Sequence, residues 1–177
     1  MPQAPLIGVT GRARSGKDTV ANFIVAAIGG YRYSLADPIR AMLAPLGVDM
    51  SDPYWQARKE ESIPALGVSP RRMRQTLGTE WGRQLINPDL WLIMAHQRLL
   101  QSGPGMVISD VRFDNEAAWI RKHGGWIIHV IRPDTKAVEA HESENGIEVL
   151  AEDVQLFNSG TLEELQLSVR ELLRVYD

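Results

Sequence analysis

One segment, positions 6–23 with the sequence LIGVTGRARSGKDTVANF, constrains the fold of this chain more than any other. It places an apolar run, a glycine-rich turn and an amphipathic stretch one after another. Positions 11–17 follow the pattern Gly-x-x-x-x-Gly-Lys, in which backbone N–H groups surround a phosphate chain and the lysine reaches its outer phosphates. The helix after such a turn adds the positive end of its dipole. The segment therefore predicts a strand, a phosphate-binding loop and a helix.

Short apolar runs alternate with amphipathic stretches along the rest of the chain, which is typical of βαβ units around a parallel sheet. We expect an α/β fold of the P-loop NTPase type, with three layers, a five-stranded parallel sheet and a short lid segment. The predicted strands are positions 5–10, 31–35, 106–110, 126–133 and 154–157. Predicted helices begin near Gly16, Ala36, Pro70, Pro88, Asn115 and Leu162, whereas positions 50–68 are expected to be irregular.

The residue after Lys17 departs from the usual pattern, which has a Ser or Thr there to meet Mg²⁺. Here Asp18 follows the lysine, and the hydroxyl comes one position later at Thr19. An aspartate can hold a cation directly or through water, or it can cap N–H groups in the first helical turn. Adenylate-kinase-like enzymes also have the hydroxyl second after the lysine. The order therefore favours small-molecule kinases over switch GTPases and motor ATPases.

A second group of polar residues follows the third predicted strand. Asp110 stands at its carboxyl end, where ligands collect in open α/β sheets. It could orient Mg²⁺ through water or accept a proton, and Arg112 could bridge donor and acceptor phosphates. In the alternative interpretation, Asp110 caps a helix and Arg112 pairs with a surface acid. Glu116 or Asn115 is expected to cap the helix that follows.

Three arginines lie close together on the predicted helix after Ser69-Pro70. Arg71 and Arg74 are three positions apart and share a face, with Arg72 between them. A phosphorylated acceptor needs such positive charge to offset the repulsion between two anions. Solvated arginines on an amphipathic helix are the alternative. Trp81 could stack on a base or fill the core.

Composition excludes several classes of function. The chain has no cysteine, so disulfides, thiolate metal sites and cysteine nucleophiles are absent. A net charge of −3 gives no sign of a nucleic-acid polymer as partner. We expect no signal segment and no membrane span, and therefore a cytoplasmic protein. The four histidines, at positions 96, 123, 129 and 141, lack metal-ligand spacing, and His129 is expected to be structural.

Seven motifs occur in a fixed order: GRARSGKDTVANFI, YSLADPIR, RRMRQTLGTEWGR, VISDVRFDNEA, HVIRP, HESE and FNSGTLEEL. Together they resemble the bacteriophage-type deoxynucleoside monophosphate kinases over nearly the whole chain, and animal phosphomevalonate kinases more distantly. The resemblance implies one kinase domain, 1–177, with an acceptor-binding insert at about 36–101 and a lid at about 132–152. It implies transfer of the ATP γ-phosphate to a deoxynucleoside monophosphate with Mg²⁺ present.

The resemblance also implies roles for individual residues. The catalytic residues would be Lys17, Asp110, Arg112 and Arg132. The ATP-binding residues would be Gly11, Arg14, Ser15, Gly16, Lys17, Asp18, Thr19, Asn158 and Gly160, the last two in a loop around adenine. The acceptor-binding residues would be Asp37, Arg40, Arg71, Arg72, Arg74 and Trp81, and the Mg²⁺ ligands would be Asp18, Thr19 and Asp110.

Alternatives to this function remain open at the level of sequence. The acceptor could be another small phosphorylated molecule, such as phosphomevalonate or dephospho-coenzyme A. The chain could also be a nucleotide-binding regulator without an acceptor, although a regulator needs no second group of arginines. A phage-encoded protein of this kind would work in the host cytoplasm on small molecules, and a homodimer is compatible with the sequence.

Overall fold

The computed structural model describes residues 5–133 and 146–175, and these form a five-stranded parallel sheet with helices around it. The order across the sheet is β2-β3-β1-β4-β5, and every neighbouring pair is parallel. The predicted α/β class and all five predicted strands are confirmed. The strands are β1 (Ile7–Thr10), β2 (Tyr31–Tyr33), β3 (Met106–Ile108), β4 (Trp126–Ile131) and β5 (Val154–Phe157).

The helices follow the predicted order, with four of the six predicted starts shifted by one or two residues and with two additions. They are α1 (Lys17–Ile28), α2 (Asp37–Leu43), α3 (Pro53–Ala57), α4 (Pro70–Gln75), α5 (Leu90–Ser102), α6 (Asp114–Lys122) and α7 (Leu162–Val175). The short helix α3 lies in a stretch that was expected to be irregular. A π-helix, Thr76–Ile86, continues α4 without a break and was not predicted.

The structure divides into two compact units, Met1–Ser34 with Ala95–Asp177 and Leu35–Met94. The first unit contains the whole sheet. Its centre is β1, in which every residue is buried. Apolar side chains of β1, α1 and α7 pack into one core that includes Val9, Ile24 and Val169, and burying them is the main stabilising contribution.

The second unit is built from helices and has a small core of its own. Leu43, Val48 and Met50 are almost fully buried there. Ser69 caps α4 as predicted, because its hydroxyl accepts a hydrogen bond from the Arg72 N–H at 3.2 Å. The organisation of the chain as one domain with an acceptor-binding insert stays a prediction. Within the described ranges no helix is both long and apolar enough to cross a membrane.

The π-helix has a packing reason in the second unit. Trp91 is 2% exposed, and its indole N–H donates to the Gly78 carbonyl at 2.8 Å. A Cβ on Gly82 would lie 2.5 Å from the Trp91 ring, so only glycine allows this approach. The wider turn of the π-helix, with its glycines against Trp91, is therefore explained by tertiary packing. No local sequence signal identifies it.

Candidate active site

The phosphate loop predicted at positions 11–17 connects β1 to α1. Arg14 has a φ of 65° and Gly16 a φ of 93°, so left-handed residues alternate with others in the loop. The Ser15 N–H donates to the Arg12 carbonyl at 3.1 Å, which closes a tight turn. Positive φ at a residue other than glycine is uncommon and is found at functional turns. Such a succession of backbone conformations turns N–H groups toward one side, where an anion can bind.

Glycine is required at two positions of this loop because neighbouring atoms approach closely. A Cβ on Gly11 would lie 2.6 Å from the Ser15 hydroxyl and from the Val130 carbonyl. A Cβ on Gly16 would lie 2.4 Å from the side-chain nitrogen of Asn158. Ser15 itself is 1% exposed, and its hydroxyl has no hydrogen-bond partner among the described residues. The loop is therefore closely packed at Gly11 and Gly16, and the Ser15 hydroxyl is buried without a hydrogen-bond partner among the described residues.

Lys17, Asp18 and Thr19 form the first turn of α1, and the aspartate has a partner that the sequence analysis missed. Its carboxylate forms an ion pair with Arg32 of β2. The same arginine donates to the Ser109 hydroxyl at 2.9 Å and to the Asn22 side chain at 3.3 Å. Lys17 and Thr19 are partly buried, whereas Asp18 is exposed. The carboxylate of Asp18 is thus shared with an arginine, and its role as a Mg²⁺ ligand stays a prediction.

Asp110 follows β3, as predicted, and it is held there by a second missed residue. The Ser34 hydroxyl donates to Asp110 Oδ2 at 2.6 Å, and Ser34 is 3% exposed. The predicted cap by Glu116 is confirmed, because its carboxylate accepts from the N–H groups of Arg112 at 2.6 Å and Phe113 at 3.1 Å. The YSLADPIR motif contains Ser34, so the signal was present, but a lone serine does not reveal its partner.

The predicted catalytic residues of the first unit follow neighbouring strands, at the carboxyl edge of the sheet. The phosphate loop follows β1, which lies between β3 and β4 in the sheet. Asp110 and Arg112 follow β3, and Arg132 follows β4. Parallel strands end at the same edge, so these residues share one side of the sheet. The predicted lid, positions 132–152, falls largely on residues 134–145, which lie outside the described residues, as does His141.

The loop after β5 lines a cleft of about 260 Å³ at the start of α7. Its lining includes Asn158, Ser159 and Gly160. Thr161 and Glu164 form the predicted capping box: the Thr161 N–H donates to the Glu164 carboxylate at 2.7 Å, and the Glu164 N–H donates to the Thr161 hydroxyl at 3.2 Å. Asn158 does not face only this cleft, because its side chain also donates to the Ser15 carbonyl at 2.8 Å.

The predicted acceptor-binding residues all lie in the second unit. Arg71 pairs with Glu60 and Arg72 with Glu80, each at 2.8 Å. Asp37 and Arg40 pair with each other at 2.5 Å, and Arg74 is partly buried on α4. Trp81 is 36% exposed, and its ring centroid lies 6.5 Å from that of the buried Trp91. Trp81 therefore does not fill the core in the way that Trp91 does.

A largely buried ion pair between α6 and the residue that precedes β5 was not predicted. Arg121 of α6 makes three hydrogen bonds of 2.7–3.1 Å to Asp153, whose other partners are His129 at 3.0 Å and the Leu150 N–H at 2.9 Å. Burial acts to raise the pKa of Asp153, but the hydrogen bonds from Arg121, Leu150 and His129 outweigh it and hold that pKa below its ordinary value. His129 is therefore packed within the fold, as expected.

Comparison with solved structures defines the class of protein. TT1252 from Thermus thermophilus aligns over 99% of both chains with a TM-score of 0.53 and 15% sequence identity. A gluconokinase from Sinorhizobium meliloti aligns over 99% of this chain and 95% of its own, with a TM-score of 0.52 and 16% identity. At such low identity these similarities establish the fold alone, which is the fold of the P-loop kinases.

The sequence model of deoxynucleotide monophosphate kinases matches residues 5–52 and 57–169, so the chain belongs to this family of kinases. A mimivirus protein assigned as a deoxynucleotide monophosphate kinase (Acanthamoeba polyphaga mimivirus) is 31% identical over 90% of this chain and 91% of its own length. The deoxynucleotide monophosphate kinase of Enterobacteria phage T4 is 25% identical over 96% and 99%. The resemblance seen in the sequence motifs is confirmed.

A third relative matches only in part. The deoxynucleoside-5'-monophosphate kinase of Escherichia phage T5 is 37% identical over 50% of this chain, and the match spans 39% of the T5 enzyme. The family match does not favour the alternative acceptors or the regulator without an acceptor. The chain is therefore a kinase and hence a transferase, and its family implies ATP as co-substrate.

Proposed function

We propose that this chain transfers the γ-phosphate of ATP to a deoxynucleoside monophosphate and releases the deoxynucleoside diphosphate and ADP. Membership of the deoxynucleotide monophosphate kinase family supports this reaction. The observation that carries it is the phosphate loop between β1 and α1, with Asp110 at the end of the adjacent strand. A phosphate-binding turn and a carboxylate on neighbouring strands are what phosphoryl transfer requires.

The ATP half of the site is the phosphate loop, a Walker A sequence in its Gly-x-x-x-x-Gly-Lys pattern. Backbone N–H groups between Gly11 and Thr19 bind the phosphate oxygens, and the positive end of α1 adds to the field. Lys17 contributes a full charge near the β- and γ-phosphates. Arg14 and Ser15 shape the loop, and Gly160 belongs to the loop around adenine. These donors are fixed before ATP arrives, so little reorganisation accompanies catalysis.

Mg²⁺ fits the oxygen donors at this edge of the sheet. Thr19 offers a hydroxyl in the first turn of α1, and Asp110 offers a carboxylate that Ser34 already orients. Both are the hard oxygen ligands that Mg²⁺ prefers, and few protein ligands suffice when phosphate oxygens and waters complete the shell. Asp18 contributes through the carboxylate oxygen that Arg32 does not hold. The bound ion supplies charge neutralisation at the phosphates.

Arginines supply the remaining positive charge. Arg112 and Arg132, after β3 and β4, stabilise the transferring phosphoryl group, which carries negative charge spread over three oxygens. In the second unit the arginines now pair with carboxylates. When the acceptor binds, its phosphate replaces these carboxylates as the partner of the arginines. The residues that we assign to the acceptor are Asp37, Arg40, Arg71, Arg72, Arg74 and Trp81, the last as a surface on which a base stacks.

We place the reaction in the cytoplasm of a host cell, where ATP and deoxynucleotides are dissolved. The relatives reported above are viral proteins, which supports this setting. Free nucleotides are the substrates, and no nucleic-acid polymer takes part. A homodimer is compatible with this proposal and is not required by it.

The decisive experiment is a panel of the four deoxynucleoside monophosphates, each offered with ATP and Mg²⁺ and assayed for ADP release. We expect turnover with at least one of them, and product analysis should identify the matching diphosphate. Phosphomevalonate and dephospho-coenzyme A serve as control acceptors. Turnover with a control acceptor and none with any deoxynucleotide would overturn the proposed acceptor while leaving the kinase class intact.

A further inference from the structure

The side chain of Asn158 makes an unusual connection between two loops of the first unit. Asn158 directly follows β5 and is 8% exposed. Its side-chain nitrogen donates to the Ser15 carbonyl at 2.8 Å, a buried hydrogen bond between residues far apart in the chain. Its backbone N–H donates to the Ile131 carbonyl, also at 2.8 Å. Asn158 is thus anchored to β4 by its backbone and to the phosphate loop by its side chain.

The contact extends to the next residue of the phosphate loop. Gly16 has a φ of 93°, and a Cβ there would lie 2.4 Å from the Asn158 side-chain nitrogen. Any residue other than glycine would therefore collide with Asn158 and would also adopt a strained backbone conformation. The amide of Asn158 consequently packs directly against the peptide that joins Ser15 to Gly16.

The hydrogen bond from Asn158 fixes the orientation of the peptide unit between Ser15 and Gly16. A peptide unit is planar and trans, so its C=O and N–H point in opposite directions. When Asn158 fixes the direction of the Ser15 carbonyl, it also fixes the Gly16 N–H to point away from Asn158. The Gly16 N–H belongs to the backbone donors that a phosphate loop offers to its anion. A side chain on a different loop therefore sets the direction of a phosphate-binding donor.

We infer that Asn158 is a positioning residue for the phosphate loop and that it does not read the adenine base. This inference rests on the ATP-binding half of the proposed function and is independent of the acceptor. The residue is 8% exposed and one of its two amide N–H groups is held by the Ser15 carbonyl, so only a small part of it reaches the cleft after β5. The exposed Ser159 and Gly160 in the same cleft are better placed to meet a base.

A ligand with phosphates and no base separates the two roles. We would titrate ATP and inorganic tripolyphosphate, each with the same Mg²⁺ concentration, into the unaltered chain and into Asn158→Ala and Asn158→Asp. Loss of a positioning hydrogen bond should weaken both ligands by about tenfold. Asn158→Asp should weaken both more strongly, because it places an oxygen against the Ser15 carbonyl oxygen. Weaker ATP binding with unchanged tripolyphosphate binding would overturn the inference.

Two controls and one kinetic test accompany the titrations. Ser159→Ala, in the same cleft, should leave the affinity for tripolyphosphate unchanged. Thermal unfolding identifies any variant that has lost its fold. If Asn158→Asp does not fold, the titrations of Asn158→Ala alone test the inference. In kinetic assays both variants should raise the KM for ATP while leaving the KM for the deoxynucleotide within about twofold. Equal rises in both KM values would overturn the positioning role.

The same titrations distinguish this inference from the proposed function. An unaltered chain that binds tripolyphosphate but phosphorylates no deoxynucleotide would refute the acceptor and leave the role of Asn158 standing. An unaltered chain that binds neither ATP nor tripolyphosphate would overturn both.

Discussion

Two arginine ion pairs, one in each unit, differ strongly in burial. In the first unit Arg121 makes three hydrogen bonds to Asp153, and the side chains of this pair are 19% and 1% exposed. In the second unit Arg72 meets Glu80 through one short contact of 2.8 Å, and the side chains are 53% and 33% exposed. A buried pair with several hydrogen bonds cannot exchange partners without a large loss of stability. The more exposed pair contributes less to stability, so its arginine can exchange the carboxylate for a phosphate more readily.

The same contrast separates the residues proposed for ATP, in the first unit, from those proposed for the acceptor, in the second. The ATP half consists of backbone donors and buried polar side chains, such as Asn158 and Ser34, whose positions are fixed by hydrogen bonds. The proposed acceptor half consists of charged side chains, such as Arg71 and Arg72, that are neutralised by neighbouring acids. The first half is preorganised by the fold, whereas the second relies on charged side chains that already have acidic partners. Substitutions should therefore have different consequences in the two units.

The largest effect is expected at Lys17. Lys17→Ala removes the positive charge that we propose acts on the β- and γ-phosphates, and kcat should fall by at least about 10³-fold. The melting temperature should change much less than the activity, because the side chain is only partly buried. ADP release and thermal unfolding measure the two quantities. Lys122→Ala, which removes an exposed lysine of the same unit, should keep full activity. Substantial turnover by Lys17→Ala would refute the assignment of the loop.

The buried pair gives the largest expected effect on stability. Asp153→Asn leaves the buried Arg121 without its counter-ion and should lower the free energy of unfolding by about 3 kcal/mol. Denaturant unfolding at neutral pH measures this. The matched carboxylate in the second unit is Glu60, which is 59% exposed and pairs with Arg71, and Glu60→Gln should change stability by less than about 1 kcal/mol. Equal losses in the two variants would remove the contrast between the units.

The pKa of Asp153 adds a dependence on pH to the same comparison. Because this pKa lies below the ordinary value of 3.8, the ionised form stabilises the folded state. The stabilisation is fully present above the unfolded-state pKa and is lost as the pH falls through the lower pKa of the folded state. Unfolding between about pH 5 and pH 2 should therefore show a smaller acid dependence in Asp153→Asn than in the unaltered chain. An unchanged acid dependence would contradict the shift.

A smaller effect, confined to one substrate, is expected in the second unit. Arg72→Ala should raise the KM for the deoxynucleoside monophosphate by about 30-fold, since a hydrogen bond between charged groups contributes roughly 2 kcal/mol. The KM for ATP should stay within about threefold. Arg58→Ala removes another exposed arginine of the same unit, one that stacks on Tyr54, and should change neither value. Equal rises for both substrates would argue against the assignment of Arg72 to the acceptor.

The smallest effect is expected at the ion pair between Asp18 and Arg32, which is exposed but belongs to the ATP half. Asp18→Asn and Arg32→Ala should each raise the KM for ATP by about threefold, and the double variant should be no worse than either. Such non-additivity would show that the pair acts as one unit. A higher Mg²⁺ requirement in Asp18→Asn, with none in Arg32→Ala, would instead identify Asp18 chiefly as a metal ligand.

The strands, the phosphate loop and most helix starts were predictable because their signals are local. Ser69 caps α4, and the Thr161–Glu164 box begins α7, as their spacing indicated. The side-chain partners Arg32 of Asp18, Ser34 of Asp110 and Arg121 of Asp153 were not predictable, since they lie 14, 76 and 32 residues away in the chain. Arg32 lies in β2 and Ser34 directly follows it, and both gain importance only through the residues that the sheet brings beside them.

The sequence by itself determined the parallel α/β sheet, the phosphate loop at its centre and the family to which the chain belongs. Apolar periodicity, glycine positions and capping residues act over a few residues, and their consequences can be read without knowing the fold. Only the tertiary structure decided which polar groups meet, as in the hydrogen bond from Asn158 to Ser15. The physical reason is that hydrogen bonds and ion pairs act over a few ångströms, and chain folding alone sets which distant residues come that close.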